Sequence, residues 1–233
     1  MVFAHVLNKG PDKVNNQSYL MIDPELMIFL IASEFGKEHP EQNNARDAVK
    51  YAHKEFTSHY NSSNHNVDAI RKAFTEAFLL AHRRVSFLKA TEKKTKGVEL
   101  NDVNLDIGLV AYDRFYFGHV GENRIYHYSN GGFTQGTIDH VTDLGGGATT
   151  VDISVGMKGN MIGQLSRVKL TEKDFVLLCN RGFYKGVSDR YMKAVFYGLV
   201  GSVEDRLMHL KSTERNNGCK DDLCAILYKH GGK

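Results

Sequence analysis

Two long amphipathic segments lie next to each other in the first half of this chain, with strand patterns on both sides of them. Residues 41–60 and 68–88 each place apolar side chains at helical spacing along one face. Each predicted helix therefore needs an apolar surface to cover. Because helices and strands do not alternate as they would in a parallel sheet, the order predicts an α+β fold, with mainly antiparallel sheets covered by helices.

Short strand patterns with turn residues between them account for most of the remaining chain. The predicted strands are 2–7, 18–22, 27–32, 105–111, 115–120, 124–128, 133–137, 161–170, 175–180 and 223–228. Two more helices are predicted at 188–199 and 203–211. We expect residues 90–102 to form a loop. The glycine-rich stretch 143–147 lacks the Lys-Ser/Thr pair of a phosphate-binding loop, which favours a flexible turn.

The length and composition are those of a soluble protein with one domain, which we expect to span residues 1–233. A formal net charge of +3 with scattered basic residues argues against nucleic-acid binding. The longest apolar run, residues 26–32, is far shorter than the ~20 residues that span a bilayer. No signal-peptide pattern begins the sequence, so we expect no membrane insertion and a cytoplasmic location.

Several short segments, spread over nearly the whole chain, carry a recognisable order of motifs. They are Asn15-Asn16-Gln17-Ser18, Ala32-Ser33-Glu34-Phe35-Gly36, Gly121-Glu122-Asn123-Arg124, Thr137-Ile138-Asp139-His140, Asn180-Arg181-Gly182 and Asp221-Asp222-Leu223. In this order they resemble the N-E-D-s, a-D-G-m-G, G-D-S-R, T-x-D-H, S-D-G and D-N motifs of the type 2C (PPM-family) protein phosphatases. The resemblance implies a four-layer α-β-β-α sandwich of two mainly antiparallel sheets flanked by helices.

Family members, by this resemblance, hold two or three Mg²⁺ or Mn²⁺ ions that activate water for attack on phosphoserine or phosphothreonine. The resemblance assigns six positions of this sequence to the metal site: Gln17, Ser33, Glu34, Glu122, Arg181 and Asp221. Hard divalent cations need anionic or carbonyl oxygens as ligands. Gln17 and Ser33 replace acids with neutral groups, and Arg181 replaces one with a permanent cation that has no acceptor atom.

These replacements predict a vestigial metal site, with no catalytic residues and no cofactor. We expect Arg181 to pair with Asp221, Glu122 or Glu34, so that a guanidinium neutralises the remaining acids. The chain is then a pseudophosphatase that binds or regulates a protein partner, which could be a phosphoprotein. The alternatives are a divergent phosphatase with an altered Mg²⁺ or Mn²⁺ site and an assembly or scaffold protein.

Overall fold

Two five-stranded antiparallel sheets form the centre of the structure, a computed structural model that describes residues 2–39, 43–61, 66–146, 148–159, 161, 163–198 and 201–231. The strands are β1 (Val2–Asn8), β2 (Ser18–Asp23), β3 (Ile28–Phe35), β4 (Asp102–Ala111), β5 (Arg114–Val120), β6 (Arg124–Ser129), β7 (Gly132–Gln135), β8 (Val141–Gly145), β9 (Ala148–Val151), β10 (Gln164–Lys169), β11 (Phe175–Cys179) and β12 (Leu223–Lys229). One sheet has the order β1-β12-β11-β6-β7 and the other β10-β5-β4-β3-β2, while β8 and β9 form a separate hairpin.

In the part of the chain that the structure describes, five helices cover the outer faces of the two sheets. They are α1 (Asn44–His59), α2 (Val67–Lys96), α3 (Arg181–Tyr184), α4 (Asp189–Gly198) and α5 (Val203–Asn216). The apolar stripes of α1 and α2 pack on the sheet that contains β3 and β4, and α3 to α5 pack on the other sheet. A third apolar cluster, with Phe29, Phe117 and Ile226, lies between the sheets. The predicted four-layer α-β-β-α sandwich is confirmed.

Side-chain caps define where the helices begin. The Asn43 side chain accepts a hydrogen bond of 2.6 Å from the backbone N–H of Arg46 at the start of α1. Ser202 and Asp205 form a reciprocal capping box at the start of α5. These side chains satisfy backbone N–H groups that have no partner within the helix, and so fix the first turn.

The prediction of a loop over residues 90–102 is wrong for its first part, because α2 continues to Lys96. Lys93, Lys94 and Lys96 occupy the last turn, where cations complement the negative end of the helix dipole. Gly97, with φ of +69°, then ends the helix in a left-handed conformation that glycine adopts without strain. Polar composition alone therefore indicated a loop where the chain forms exposed helix.

The glycine-rich segment also differs from its prediction. Residues 141–145 and 148–151 pair as the hairpin β8–β9, with a register shift between Asp143 and Gly145. The prediction of a flexible turn over 143–147 is therefore wrong for residues 143–145, whereas Gly146 lies in a turn. Gly147 lies outside the described residues, as do Glu41 and Leu199 at the ends of two predicted helices. Within the described part of the chain, no helix is long and apolar enough to cross a membrane.

Candidate functional site

A central cavity of about 270 Å³ opens where the two sheets meet, and all six positions predicted from the sequence line it. The other lining residues include Lys13, Asn104, Asn180, Lys185 and Asp222. The predicted residues lie at the ends of elements or in turns: Gln17 before β2, Ser33 and Glu34 near the end of β3, Glu122 between β5 and β6, Arg181 at the start of α3, and Asp221 before β12.

Asn180 ties the two sheets together beside this cavity. Its Nδ2 donates to the Ser18 Oγ at 3.2 Å and to the Asp222 carbonyl at 2.8 Å. Its Oδ1 accepts from the backbone N–H groups of Phe183 at 3.2 Å and Cys224 at 3.0 Å. One buried amide thereby caps α3 and fixes the positions of β2 and β12 relative to Arg181.

Arg181 and Glu122 form a salt bridge in the lining of the cavity, with Nη1 and Oε2 separated by 3.2 Å. The Glu122 carboxylate is buried, while the Arg181 side chain is 38% exposed. Burial raises the pKa of Glu122, and the positive charge of Arg181 opposes that shift. The Tyr184 hydroxyl donates to the Glu122 carbonyl at 2.7 Å, which holds the turn that carries the acid.

The Glu34 carboxylate is hydrogen-bonded to the start of α1. Its Oε1 accepts from the backbone N–H of Ala45 at 3.2 Å, and its Oε2 accepts from Asn101 Nδ2 at 3.3 Å. Burial raises the pKa of this carboxyl to about 7 in spite of these donors. Near neutral pH the group is therefore only partly ionised, and both of its oxygens already accept hydrogen bonds.

Ser33 and Gln17 also have protein partners. The Ser33 hydroxyl donates to Asn123 Oδ1 at 2.8 Å and accepts from Asn104 Nδ2 at 3.3 Å. The Gln17 amide accepts from Lys13 Nζ at 3.2 Å and donates to the Lys37 carbonyl at 3.2 Å. Neutral side chains thus occupy two positions that the resemblance assigns to acids.

Asp222 is a site residue that was not predicted from the sequence. It is buried, with Oδ1 accepting from the Gly10 N–H at 2.8 Å, and Oδ2 accepting from the Gln17 N–H at 2.8 Å and from Lys13 Nζ at 3.3 Å. The neighbouring Asp221 side chain is exposed. The sequence pattern that could have predicted Asp222 is the acidic pair directly before the buried strand β12. Only the second acid of that pair adjoins the strand.

The described residues do not fit a centre of two divalent ions. No three His, Cys, Asp or Glu side chains among them are placed to hold a metal ion together. Glu122 pairs with Arg181, Glu34 accepts two hydrogen bonds and Asp222 accepts three. Two divalent cations require several converging anionic oxygens, and most of those available here are already satisfied by donors of the protein itself.

Comparison with solved structures identifies the fold, whereas no family model and no curated protein matches the sequence. PppA, a key regulatory component of T6SS in Pseudomonas aeruginosa, superposes with a TM-score of 0.81 at 16% identity, over 97% of this chain and 96% of that one. The S. agalactiae serine/threonine phosphatase gives 0.80 at 16% identity, over 98% and 99%. The catalytic domain of the phosphatase PstP with two manganese ions gives 0.78 at 16% identity, over 97% and 96%.

The manganese-bound structure corrects one prediction. The expectation of no cofactor, drawn from the sequence, is wrong at the level of the fold, because PstP has the same fold and holds two manganese ions. The resemblance read from the motifs is confirmed at the level of the fold, since similarity extends over almost the entire length of each chain. This chain has the fold of the PPM-family Ser/Thr protein phosphatases.

Proposed function

We propose that this chain is a catalytically inactive phosphatase-fold protein that binds and regulates a protein partner. The observation that carries the proposal is the salt bridge between Arg181 and Glu122. An arginine stays protonated and offers five donors but no acceptor, so it repels a divalent ion and cannot be a ligand for one. The Ser33 hydroxyl supports the same conclusion, because a neutral group cannot replace an anionic bridge between two cations.

A phosphorylated serine or threonine segment is the partner chemistry that the cavity supports best. Three cations line it together with four acids: Arg181 pairs with Glu122, Lys13 pairs with Asp222, and Lys185 is the third cation. A guanidinium can donate two parallel hydrogen bonds to a phosphate, and Arg181 is exposed enough to do so. The description of PppA as a regulatory component is consistent with a regulatory role on this fold.

A divergent metal-dependent phosphatase with Mg²⁺ or Mn²⁺ is the second candidate. Asp221 favours it, because its carboxylate is exposed and makes no hydrogen bond or ion pair with any other described residue. Glu34 and Glu122 would supply further carboxylate oxygens, the ligands that both ions prefer, only after moving toward Asp221, because no three such side chains among the described residues are placed to hold one ion. An ion in this place would neutralise the acids and polarise a phosphoryl oxygen.

Activity and phosphopeptide binding, measured on the same preparation, test the proposal. We expect no hydrolysis of p-nitrophenyl phosphate or of a phosphothreonine peptide with Mn²⁺ or Mg²⁺. A fluorescent phosphothreonine peptide should bind more tightly than its unphosphorylated form, and Arg181→Gln should remove that preference. Metal-dependent turnover that is lost in Asp221→Asn would contradict the proposal and establish the alternative.

A further inference from the structure

A second cavity, the α2–β10 cavity, lies between the start of α2 and strands β5 and β10. It has a volume of about 230 Å³. Ile70, Phe74 and Tyr116 supply much of its apolar wall, and Leu165 of β10 forms part of the rim with 41% of its surface exposed. An apolar side chain from another molecule could enter here, and none of the residues assigned to the central cavity takes part.

The strand beside this cavity is at the edge of its sheet. β10 pairs with β5, and no other described strand pairs with it. The Leu170 N–H bonds to the Asp113 carbonyl at 2.6 Å, continuing the β10–β5 ladder. Because main-chain groups of an antiparallel strand alternate in direction, those of Leu165, Arg167 and Lys169 face away from β5. Such unpaired groups are a template for another strand.

The charged residues that line the α2–β10 cavity have one sign. Arg71 and Arg167 are exposed and line the cavity, and no acid lines it with them. Neither guanidinium has a hydrogen-bond or ion-pair partner among the described residues, whereas Arg124 pairs with Asp139 and Arg84 with Asp47. The N-terminus of the 30-residue helix α2 begins at Val67 in the same wall and adds positive potential. The complement is an acidic segment.

We propose that the β10 edge and the α2–β10 cavity bind an extended acidic segment of a partner protein. The segment adds as a sixth strand beside β10, inserts an apolar side chain into the cavity, and places acids on the same face opposite Arg71 and Arg167. Side chains two residues apart share a face of a strand, so apolar and acidic residues alternate with neutral ones. This inference depends on the proposed function in one respect, which is that the partner is a protein.

Fluorescence anisotropy with a labelled peptide, Thr-Leu-Thr-Glu-Thr-Glu-Thr, tests the charge requirement. The control peptide has lysine in place of both glutamates. We expect the glutamate peptide to bind at least about tenfold more tightly, a difference of about 1.4 kcal/mol. Arg71→Glu combined with Arg167→Glu should reverse the preference. Arg181→Gln should bind like the unmodified protein, which separates this site from the central cavity.

Backbone pairing is tested with the unmodified protein and two further peptides, N-methylated at alternate residues in the two possible phases. Only one edge of an added strand faces β10, so one methylation pattern should abolish binding and the other should preserve it. Equal binding of both patterns, a preference for glutamate that survives the double charge reversal, or no binding of the glutamate peptide would each overturn the proposal.

Discussion

The Arg181–Glu122 salt bridge, with Nη1 and Oε2 3.2 Å apart, forms part of a wall that separates two cavities. On one side is the central cavity, and on the other is a cavity of about 290 Å³ lined also by Arg124, Asp139 and Tyr184. The guanidinium of Arg124 lies 4.0 Å from the centre of the Tyr184 ring and pairs with Asp139. A change at Arg181 therefore alters the charge of both cavities.

Replacing Arg181 with aspartate should increase the affinity for manganese. The substitution removes a fixed cation and adds a carboxylate beside Glu122, and both changes favour a divalent ion. We expect calorimetric titration with Mn²⁺ to show affinity at least about tenfold higher than in the unmodified protein. Lys185→Asp, with the same change of charge at the rim, is the matched control. Equal gains in both variants would mean that net charge alone is responsible.

Asn180→Ala should destabilise the fold more than a substitution at one of its partners. The buried amide makes four hydrogen bonds, and its loss leaves the N–H groups of Phe183 and Cys224 without this acceptor. We expect the free energy of unfolding to fall by about 3 kcal/mol in urea denaturation. Ser18→Ala, which removes one of the four bonds, should cost about 1 kcal/mol. A similar loss in both variants would contradict this account.

The stability of the protein should depend on pH through Glu214. This carboxyl is buried in α5, accepts from the Gly186 N–H at 3.0 Å, and has its pKa raised by burial to about 7. The unfolded chain loses the proton near pH 4.5, whereas the folded chain holds it to about pH 7. The free energy of unfolding should therefore fall as the pH rises from about 4.5 to about 7 and level off above that range.

Glu214→Gln should remove part of this pH dependence, because the amide keeps an acceptor for Gly186 and carries no charge. Urea denaturation at about pH 5 and about pH 8 should show a smaller difference in the variant, by up to about 3 kcal/mol. Glu34, whose pKa burial also raises to about 7, acts in the same direction and should leave a residual slope. Parallel pH profiles for both proteins would exclude a contribution from Glu214.

Gly118→Ala should show how closely α2 approaches its sheet. A Cβ at this position in β5 would collide with the Phe78 ring and lie 2.9 Å from Cδ1 of Phe74. We expect a loss of about 1–3 kcal/mol in the free energy of unfolding. Gly198→Ala, where a Cβ has no described neighbour within 4 Å, should change stability by less than about 1 kcal/mol. Equal effects would show that the helix can move away at little cost.

Turn chemistry and helical periodicity predicted much of the fold. Tyr112 and Asp113 join β4 to β5, and Asn130 and Gly131 join β6 to β7, at the positions where turn residues interrupt the apolar alternation. The buried faces of α1 and α2 include Ala48, Phe74 and Ala81, as their spacing required. The motif order also assigned six residues that are distant in sequence to one site, and all six line one cavity.

The remaining features depend on tertiary contacts that local patterns do not encode. Helix α3 has four residues, too few for a periodic signal, and begins because Asn180 caps it after a buried strand. The Asp222 carboxylate accepts hydrogen bonds from the N–H groups of Gly10 and Gln17, which are more than two hundred residues away in sequence. The partner of Arg181 could not be chosen among three acids from sequence alone, since the choice depends on how close the β5–β6 turn lies to α3.

The three apolar clusters of the sandwich contain none of the six predicted site residues. The packing between sheets and helices is therefore separate from the polar groups that line the central cavity. Exchanging an acid for serine or arginine there changes charge and hydrogen bonding at positions outside the apolar clusters. In a scaffold divided in this way, substitutions can change the chemistry of the cavity while the protein encoded by each intermediate sequence still folds.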